Sequence, residues 1–252
     1  MHQLLSAVLG LSLLAVTGCH KSEGDTTAAP TPAQLNFENT NWPADSSLTC
    51  AAKARSPINI DTTKTTKSSL PALVLTYQPM SLQILDNGYT IQVQGDGRSS
   101  AVYEGATYQL KQIHFHRASE HTINGQSAPM EVHLVHLNEQ TGARLVLATL
   151  LANGPQNPAL QAILTNLPAT KGQLNNVPNV SISLTDLLPG NRTYYRYVET
   201  AATPACQSPL TWLVFKNTAP ISSGQEAIFA QRYPKNNRPV QPVVNPADVQ
   251  QP

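Results

Sequence analysis

Residues 112–136 read QIHFHRASEHTINGQSAPMEVHLVH and contain five of the seven histidines of the chain. Both ends of this stretch alternate in the manner of β-strands, whose successive side chains point to opposite faces of a sheet. The two-residue period places His114 and His116 on one face of the first strand. If the second strand lies beside the first, His133 meets them at one point. The stretch therefore predicts a β-fold with a histidine cluster on one face of its sheet.

Strand-like segments continue on both sides of this stretch, and turn residues such as Asn87-Gly88 separate them. Predicted strands are Ala72–Tyr77, Ser81–Leu85, Thr90–Gln94, Ala101–Tyr103, Lys111–His116, Met130–Leu137, Arg144–Leu150, Thr193–Val198 and Leu210–Asn217. Helical signal is sparse, with one amphipathic segment at Pro158–Leu167 and a second short one at Ser223–Gln231. The chain is therefore predicted to be mainly β, with a few short surface helices.

Length and composition limit the classes of protein to which the chain can belong. It has 252 residues, of which 40% are hydrophobic and 12% charged, and its formal net charge is +1. This length fits one sizeable domain or at most two small ones. The charge balance excludes a polybasic nucleic-acid-binding protein and an acidic disordered chain, so no nucleic-acid partner is expected.

The N-terminus has the features of an export signal. Residues 4–16 form an apolar run too short to span a bilayer comfortably, and residues 16–19 (VTGC) resemble the motif at which bacterial lipoproteins receive their lipid. We therefore expect a lipoprotein signal peptide at 1–18 and a flexible tether at 19–40, with Cys19 lipidated. The protein would then be exported and held in the bacterial envelope, facing the periplasm or the cell exterior. The alternative is a plain secretory signal with Cys19 retained.

Two further cysteines, Cys50 and Cys206, remain if Cys19 carries lipid. An oxidising compartment would allow them to form a disulfide, and two buried free thiols are the alternative. A bridge would close a loop of roughly 155 residues and would contribute about 4–5 kcal/mol in the chain-entropy model. The globular part is expected at 41–242, followed by a C-terminal tail at 243–252.

The histidine cluster has the composition of a catalytic zinc site. Neutral imidazoles from His114, His116 and His133 would leave the fourth position of a tetrahedral ion open. Gln112 and Glu131 lie on the same strand faces, where each can accept the second ring N–H of a ligand and fix its tautomer. A lone strand histidine is more often a core or surface residue, but three that converge favour a metal site.

The surroundings of the cluster support this interpretation. No cysteine lies near it, which argues against an iron–sulfur or closed thiolate site. His121 and His136 fall outside the ligand face. Buried, hydrogen-bonded structural positions are therefore expected for both.

The residues around the cluster closely resemble those of bacterial α-carbonic anhydrases. The matching motifs are residues 112–136, Cys50, Ser56-Pro57-Ile58-Asn59-Ile60, Tyr194-Tyr195-Arg196-Tyr197, Thr211-Trp212-Leu213-Val214 and Asn237-Arg238-Pro239-Val240-Gln241-Pro242. The resemblance covers about residues 42–242 and implies one domain around a large, mostly antiparallel central sheet, with zinc in a conical cleft. It also implies a Cys50–Cys206 disulfide and the reversible hydration of CO₂ to bicarbonate and a proton by zinc-bound hydroxide.

The resemblance further implies roles for single residues. The three histidines of the cluster would bind Zn²⁺, and Gln112 and Glu131 would orient them. Val135, Val146 and Trp212 would line the apolar pocket for CO₂. The small-molecule partners would be CO₂ and bicarbonate, and the membrane would be reached through the lipid anchor.

Two positions depart from the family pattern. Ala202 replaces the gatekeeper threonine, whose hydroxyl accepts from zinc hydroxide and donates to Glu120, and the loss should cost on the order of a hundredfold in rate. Tyr89 replaces the proton-shuttle histidine that follows Asn-Gly in the family, and a phenol is a poor shuttle near neutral pH. We therefore expect reduced turnover. The alternative is a catalytically weak or inactive zinc-binding surface lipoprotein with a binding role.

The gatekeeper assignment rests on the spacing of one segment. The family pattern after Tyr-Arg-Tyr is PGSLTTPPC, and the same nine places here, residues 198–206, read VETAATPAC. The spacing is unbroken from Tyr197 to Cys206 and on to Trp212. Ala202 therefore stands where the first threonine belongs.

A third interpretation is a cupin-like metal oxygenase or isomerase. His114 and His116, with Glu120 four residues after the second histidine, copy the ligand spacing of that class. The appropriate glycine and asparagine spacing is absent, and the flanking motifs favour the anhydrase. Iron or manganese in place of zinc would indicate this alternative.

Overall fold

The computed structural model of the chain describes residues 56–199, 209–243 and 245–252. Its strands are β1 (Asn59–Ile60), β2 (Thr66–Lys67), β3 (Val74–Thr76), β4 (Met80–Asp86), β5 (Ile91–Gln94), β6 (Ser100–Tyr103), β7 (Ala106–Arg117), β8 (Thr122–Ile123), β9 (Met130–Leu137), β10 (Arg144–Asn153), β11 (Leu174–Ile182), β12 (Tyr194–Glu199), β13 (Leu210–Phe215), β14 (Ala219–Ile221) and β15 (Gln250–Gln251). Its helices are α1 (Pro158–Thr165) and α2 (Ser223–Arg232), with 3₁₀ turns at Leu184–Leu187 and Pro246–Asp248.

In the described part of the chain, 13 strands form one sheet in the order β11-β4-β5-β7-β9-β10-β13-β12-β15-β2, with β14 beside β10 and β6 between β7 and β3. β1 and β8 form a separate pair. Most neighbours are antiparallel, whereas β10 is parallel to β13 and β14, and β15 is parallel to β2. The mainly β prediction and the mostly antiparallel central sheet are confirmed.

In the described part of the chain, a separate apolar core packs against each face of the sheet. Val132 and Leu134 of β9 point into the larger core, where α1 and α2 also pack. Val135 of the same strand points into the smaller core on the opposite face, together with Trp212. Because β9 is covered on both faces, seven of its eight residues are buried, including the polar Glu131, His133 and His136. His133 shares the parity of Val135 and therefore lies on the face of the smaller core.

The two helices begin with side-chain caps. The side chain of Asn157 accepts from the Leu160 backbone N–H at 3.1 Å, and Pro158 occupies the first helical turn of α1. Ser222 and Gln225 form a reciprocal capping box at the start of α2. Helix α1 ends at Thr165, two residues before its predicted end. No helix in the described residues is long and apolar enough to cross a membrane.

The strands that the sequence patterns did not predict are short or irregular. The longest is β11, which carries Pro178 and breaks register between Val177 and Ser181. Proline and a bulge are tolerated because β11 lies at the end of the described sheet order. The segment expected to be a tail, 243–252, also contributes to the sheet, since Gln250 pairs with a residue of β12 and another of β2.

Candidate metal centre

The three histidines lie on β7 and β9, neighbouring antiparallel strands at the centre of the sheet. His114 is directly opposite His133, and His116 is opposite Glu131, so all four side chains share one face. The ring centroids are 4.9 Å apart for His114–His133, 5.1 Å for His114–His116 and 4.8 Å for His116–His133. All three rings are buried. The strand register thus gathers the histidines that the sequence pattern selected.

Hydrogen bonds determine which nitrogens of His114 and His133 face each other. Nδ1 of His114 donates to Oε1 of Gln112 at 2.7 Å, and Nε2 of His133 donates to Oε1 of Glu131 at 2.7 Å. The other two nitrogens, Nε2 of His114 and Nδ1 of His133, lie 3.0 Å apart. Since each ring carries its proton on the outer nitrogen, both inner nitrogens present lone pairs. Two lone pairs so close repel each other unless a cation lies between them.

This donor set fits a zinc ion. One ligand atom from each of His114, His116 and His133 lies within 4.8 Å of the others. Two nitrogens that bind one tetrahedral zinc at roughly 2.0–2.1 Å are about 3.3 Å apart. The 3.0 Å between the two inner nitrogens is close to that separation. The triad can therefore hold a metal ion and leave one coordination position open.

Glu131 connects the cluster to the segment that follows β7. Its Oε2 accepts the backbone N–H groups of Glu120 and His121, each at 2.8 Å. Its Oε1 accepts from Nδ1 of His121 at 2.6 Å as well as from His133. Burial would raise the pKa of this carboxyl, but the neighbouring His121 and His133 outweigh it and hold the pKa well below its ordinary value. Glu131 is therefore an ionised acceptor.

The two remaining histidines of the stretch are buried and hydrogen-bonded, as expected, but the expectation that His121 falls outside the ligand face is wrong, since its ring contacts Glu131 and His133. Nε2 of His121 accepts from the hydroxyl of Tyr197 at 2.7 Å. His121 is also close enough to Glu131 and His133 to form a second possible ligand group. Its two ring nitrogens are engaged in hydrogen bonds, so we assign it a supporting position. On the opposite face, Nε2 of His136 accepts from a tyrosine hydroxyl at 2.8 Å.

An apolar wall lies beside the triad. Val135, Val146 and Trp212 are in register on β9, β10 and β13, and each is at most 4% exposed. The Trp212 ring meets His133 edge-on, with centroids 5.0 Å apart and planes at 73°. The three residues expected to line a pocket thus form one surface next to His133.

Comparison with known proteins agrees with this arrangement. A sequence model of the eukaryotic-type carbonic anhydrases matches residues 37–250. The chain belongs to this family. A carbonic anhydrase of Neisseria gonorrhoeae is 39% identical over 198 residues, which are 78% of this chain and 77% of that protein.

Solved carbonic anhydrases also share the fold. The α-carbonic anhydrase of Thermovibrio ammonificans, in complex with the inhibitor sulfanilamide, has a TM-score of 0.74 and 35% identity, over 82% of this chain and 92% of that chain. The α-carbonic anhydrase of Photobacterium profundum has a TM-score of 0.72 and 32% identity, over 82% of this chain and 94% of that chain. The resemblance seen in the sequence is confirmed.

Sequence reasoning missed the acceptor for the ring of His116, the remaining histidine of the cluster. Nδ1 of His116 donates to the backbone carbonyl of Asn236 at 3.3 Å. The Asn236 side chain accepts from the Arg117 N–H at 2.7 Å and donates to the carbonyls of Phe115 and Tyr89 at 2.9 and 3.0 Å. Since the acceptor is a backbone group, no pattern of residue types could have indicated it.

Sequence reasoning also missed the partner of Glu120. This carboxylate is buried, and its Oε1 lies 3.5 Å from Nδ1 of His116. Oε1 accepts from the backbone N–H of Arg238 at 2.7 Å, and Oε2 accepts from Nη2 of the same residue at 2.7 Å. From the sequence, the motif that contains Arg238 indicates only the family resemblance. Arg238 therefore orients Glu120 beside His116, one of the three histidines that could hold a metal ion.

Of the remaining predicted positions, only Tyr89 lies in the described part of the chain. Tyr89 lies in the turn between β4 and β5 and is 50% exposed. Ala202, Cys50, Cys206 and Cys19 lie outside the described residues. The gatekeeper substitution, the disulfide and the lipid anchor therefore stay predictions.

Proposed function

We propose that this chain is a zinc carbonic anhydrase that interconverts CO₂ and bicarbonate. The observation that carries the proposal is the convergence of His114, His116 and His133, with the outer nitrogen of each ring held by an acceptor. Zinc in such a site supplies a nucleophile at neutral pH by lowering the pKa of a bound water to about 7, a value for which carbonic anhydrase is itself the reference case.

The residues of the chain prepare the site in two ways. Gln112 and Glu131 hold the ring protons on the outer side, so that lone pairs face the metal position. Val135, Val146 and Trp212 present an apolar surface beside it. CO₂ carries no charge, so its placement depends on the shape of this surface rather than on ion pairing.

Reduced turnover is part of the proposal. Ala202 has no hydroxyl to donate to Glu120, whose carboxylate accepts from Arg238. Loss of one such orienting hydrogen bond costs on the order of a hundredfold in rate. Tyr89 stands at the position of the shuttle and offers a phenol in place of an imidazole.

The first test compares two histidines of the same strand. His133→Ala removes a ligand, whereas His136→Gln removes a buried histidine from the opposite face. Stopped-flow CO₂ hydration and metal analysis of the purified variants should show zinc and activity retained in His136→Gln and lost in His133→Ala. Rates that His133→Ala leaves unchanged would contradict the proposal, and bound iron or manganese would indicate a different chemistry.

The second test restores the two missing groups. Ala202→Thr should raise the CO₂ hydration rate by up to about a hundredfold. Tyr89→His should raise it mainly at low buffer concentration, where an internal proton carrier matters most. Wild-type turnover that already equals that of its relatives, with no gain in Ala202→Thr, would refute the reduced-rate part.

A second candidate function is zinc binding without useful catalysis, in a surface lipoprotein with a binding role. The two substitutions Ala202 and Tyr89 favour it. It predicts one bound zinc per chain but no measurable CO₂ hydration, either by the wild-type protein or by Ala202→Thr. Activity in the wild-type protein would exclude it.

We further propose that the protein is exported and lipid-anchored through Cys19, with a bridge between Cys50 and Cys206. The VTGC sequence at residues 16–19 and the pairing of the two remaining cysteines support this. Cys19→Ser should release the protein from the membrane fraction. Mass spectrometry without reduction should find the Cys50 and Cys206 peptides joined; two alkylatable thiols would contradict the bridge.

A further inference from the structure

The geometry points to Glu199 as a positioning residue that holds the Trp212 indole against the metal ligand His133. The inference rests on the proposed function for its consequence in catalysis. In the family pattern the corresponding place after Tyr-Arg-Tyr is glycine, the second residue of PGS, which has no side chain. Here the same place carries a carboxylate. The chain therefore has a group near the apolar wall that the family pattern lacks.

Strand register brings Glu199 to this wall. β12 and β13 are antiparallel, with Tyr197 opposite Trp212 and Glu199 opposite Leu210. Side chains two residues apart share a face, so Tyr197 and Glu199 both lie on the face of the histidine cluster. Oε1 of Glu199 accepts from the indole Nε1–H of Trp212 at 2.8 Å. The contact therefore joins the last residue of β12 to the next strand of the sheet.

Three rings, those of Tyr197, His121 and His133, pack against the indole of Trp212. Trp212 stacks on Tyr197, with centroids 6.0 Å apart and planes at 6°. It meets His121 and His133 edge-on, each with centroids 5.0 Å away. The ring is 4% exposed. A buried indole N–H without an acceptor is unfavourable, so the hydrogen bond to Glu199 selects one of the orientations that the stacked ring could adopt.

The neighbouring hydroxyl does not replace this acceptor. The Tyr197 hydroxyl is engaged with Nε2 of His121 at 2.7 Å. Burial and then the charge of Glu199 raise the pKa of Tyr197 well above its usual value, so that this phenol stays neutral and donates to the imidazole. Glu199 thus satisfies the indole, while Tyr197 satisfies His121. Without Glu199 the indole would turn toward water and change the surface that CO₂ meets.

The test separates the hydrogen bond from the charge. Glu199→Gln keeps a carbonyl acceptor and removes the charge, and Glu199→Ala removes both. Glu139→Ala, which deletes an exposed carboxylate paired with Lys111, is the control. The chain has two tryptophans, so the indole N–H resonance of Trp212 in ¹⁵N-labelled full-length zinc protein is assigned by its absence in Trp212→Phe.

Glu199→Ala should speed exchange of the Trp212 indole proton about tenfold, the change expected for loss of one ordinary hydrogen bond. It should raise KM for CO₂ severalfold with little change in kcat. Glu199→Gln and the control should resemble the wild type in both measurements. In a Trp212→Phe background, which has no indole donor, Glu199→Ala should have no further effect on KM.

Unchanged exchange and KM in Glu199→Ala would overturn the inference. A raised KM in Glu199→Gln with a still protected indole proton would also overturn it, because charge and not position would then be responsible. If Glu199→Ala does not fold, the comparison of wild type with Glu199→Gln still decides between position and charge. A wild-type protein that hydrates no CO₂ refutes the proposed function, whereas the exchange measurement still tests the contact.

Discussion

His116 differs from the other two histidines of the centre in how it is oriented. His114 and His133 donate to side chains two residues away on their own strands. His116 donates to the carbonyl of Asn236, which lies far along the chain. The position of that carbonyl depends on the three hydrogen bonds of the Asn236 side chain.

Asn236→Ala should therefore weaken zinc binding about tenfold, the lower end of the range for groups that orient metal ligands. The backbone carbonyl remains, but the side chain no longer holds it in place. Competition with a fluorescent zinc chelator measures the affinity. Asn237→Ala is the matched control, since the Asn237 amide donates only at 3.5 Å to a backbone carbonyl. Equal affinities of the two variants would contradict this account of Asn236.

His136 makes stability depend on pH. Burial lowers the pKa of this imidazole to about 4, whereas in an unfolded chain it is about 6.5. Between these values the unfolded state binds a proton that the native state does not, so stability falls as pH falls. The contribution is fully present above pH 6.5, and roughly 3 kcal/mol of it is lost by pH 4.

Urea unfolding at pH 7, 6 and 5 checks this expectation. His136→Gln removes the titrating group and should give a shallower decline of the unfolding free energy with falling pH. Its stability at pH 7 should be lower, because the contact with the Tyr77 hydroxyl and the ring stacking are lost. A slope equal to that of the wild type would show that His136 does not titrate as described.

Strand β7 depends on a close approach by Gly95. A Cβ at this position would lie 2.3 Å from the carbonyl oxygen of Leu110. The Gly95 N–H donates to the Lys111 carbonyl at 2.8 Å, next to the register shift between Leu110 and Gln112. The glycine thus stabilises the bulge that precedes the histidines of β7.

Gly95→Ala should destabilise the protein by about 1–3 kcal/mol, because backbone must move to admit the methyl group. It should also lower zinc affinity, since β7 carries two of the three histidines that could hold the ion. Gly190→Ala is the control, since nothing lies within 4 Å of a Cβ there, and it should stay within about 0.5 kcal/mol. Denaturant unfolding and zinc titration measure both effects. If Gly95→Ala changes neither the stability nor the zinc affinity, the backbone at the bulge can move to admit the methyl group without cost.

The starts of the two helices are linked through one side chain. Gln225 completes the cap of α2 with Ser222, and it also accepts from the Asn157 N–H at 2.9 Å and donates to the Asn157 carbonyl at 2.7 Å. Asn157 is itself the cap of α1. Gln225 and Asn157 are both 1% exposed.

Ser222→Ala should cost about 1 kcal/mol, the usual value of a lost cap. Gln225→Ala should cost more, about 2–3 kcal/mol, because the buried N–H of Asn157 loses its acceptor and the Asn157 carbonyl, which also accepts from the Gln161 N–H, loses one of its two donors. Chemical denaturation gives both values. A smaller loss for Gln225→Ala than for Ser222→Ala would show that the link between the helices adds nothing.

At the scale of the whole molecule, the two apolar cores seen in the described residues, one on each face of the sheet, are built without any of the three histidines of the cluster. We therefore expect a chelator to lower the melting temperature without unfolding the protein at 25 °C. Zinc at a hundredfold excess over its Kd should stabilise the native state by about 2.7 kcal/mol. Thermal unfolding followed by far-UV circular dichroism measures this, and His133→Ala should show no zinc-dependent shift. Loss of the β-sheet signal on chelation would mean that the metal holds the fold together.

The local alternation of residue types was sufficient to predict the central strands and the strand face that carries the histidines. A β-strand has a period of two, so the order of residues alone places Gln112, His114 and His116 together, and likewise Glu131 and His133. The strand pair, the mainly β class and the family resemblance could therefore be predicted. The edge strand β11 could not, because its asparagines and Pro178 lack a strand pattern and its pairing with β4 supplies the structure.

Contacts between segments that are distant in the sequence could be identified only from the tertiary structure. The carbonyl of Asn236 at His116, Arg238 at Glu120 and Glu199 at Trp212 join residues from different strands or loops. Each contact depends either on the register between two segments or on a backbone group. The order of residue types indicates neither the register nor the backbone partner. The alternation of side chains is a local property, whereas the second partner of each buried polar group is set by what packs against it.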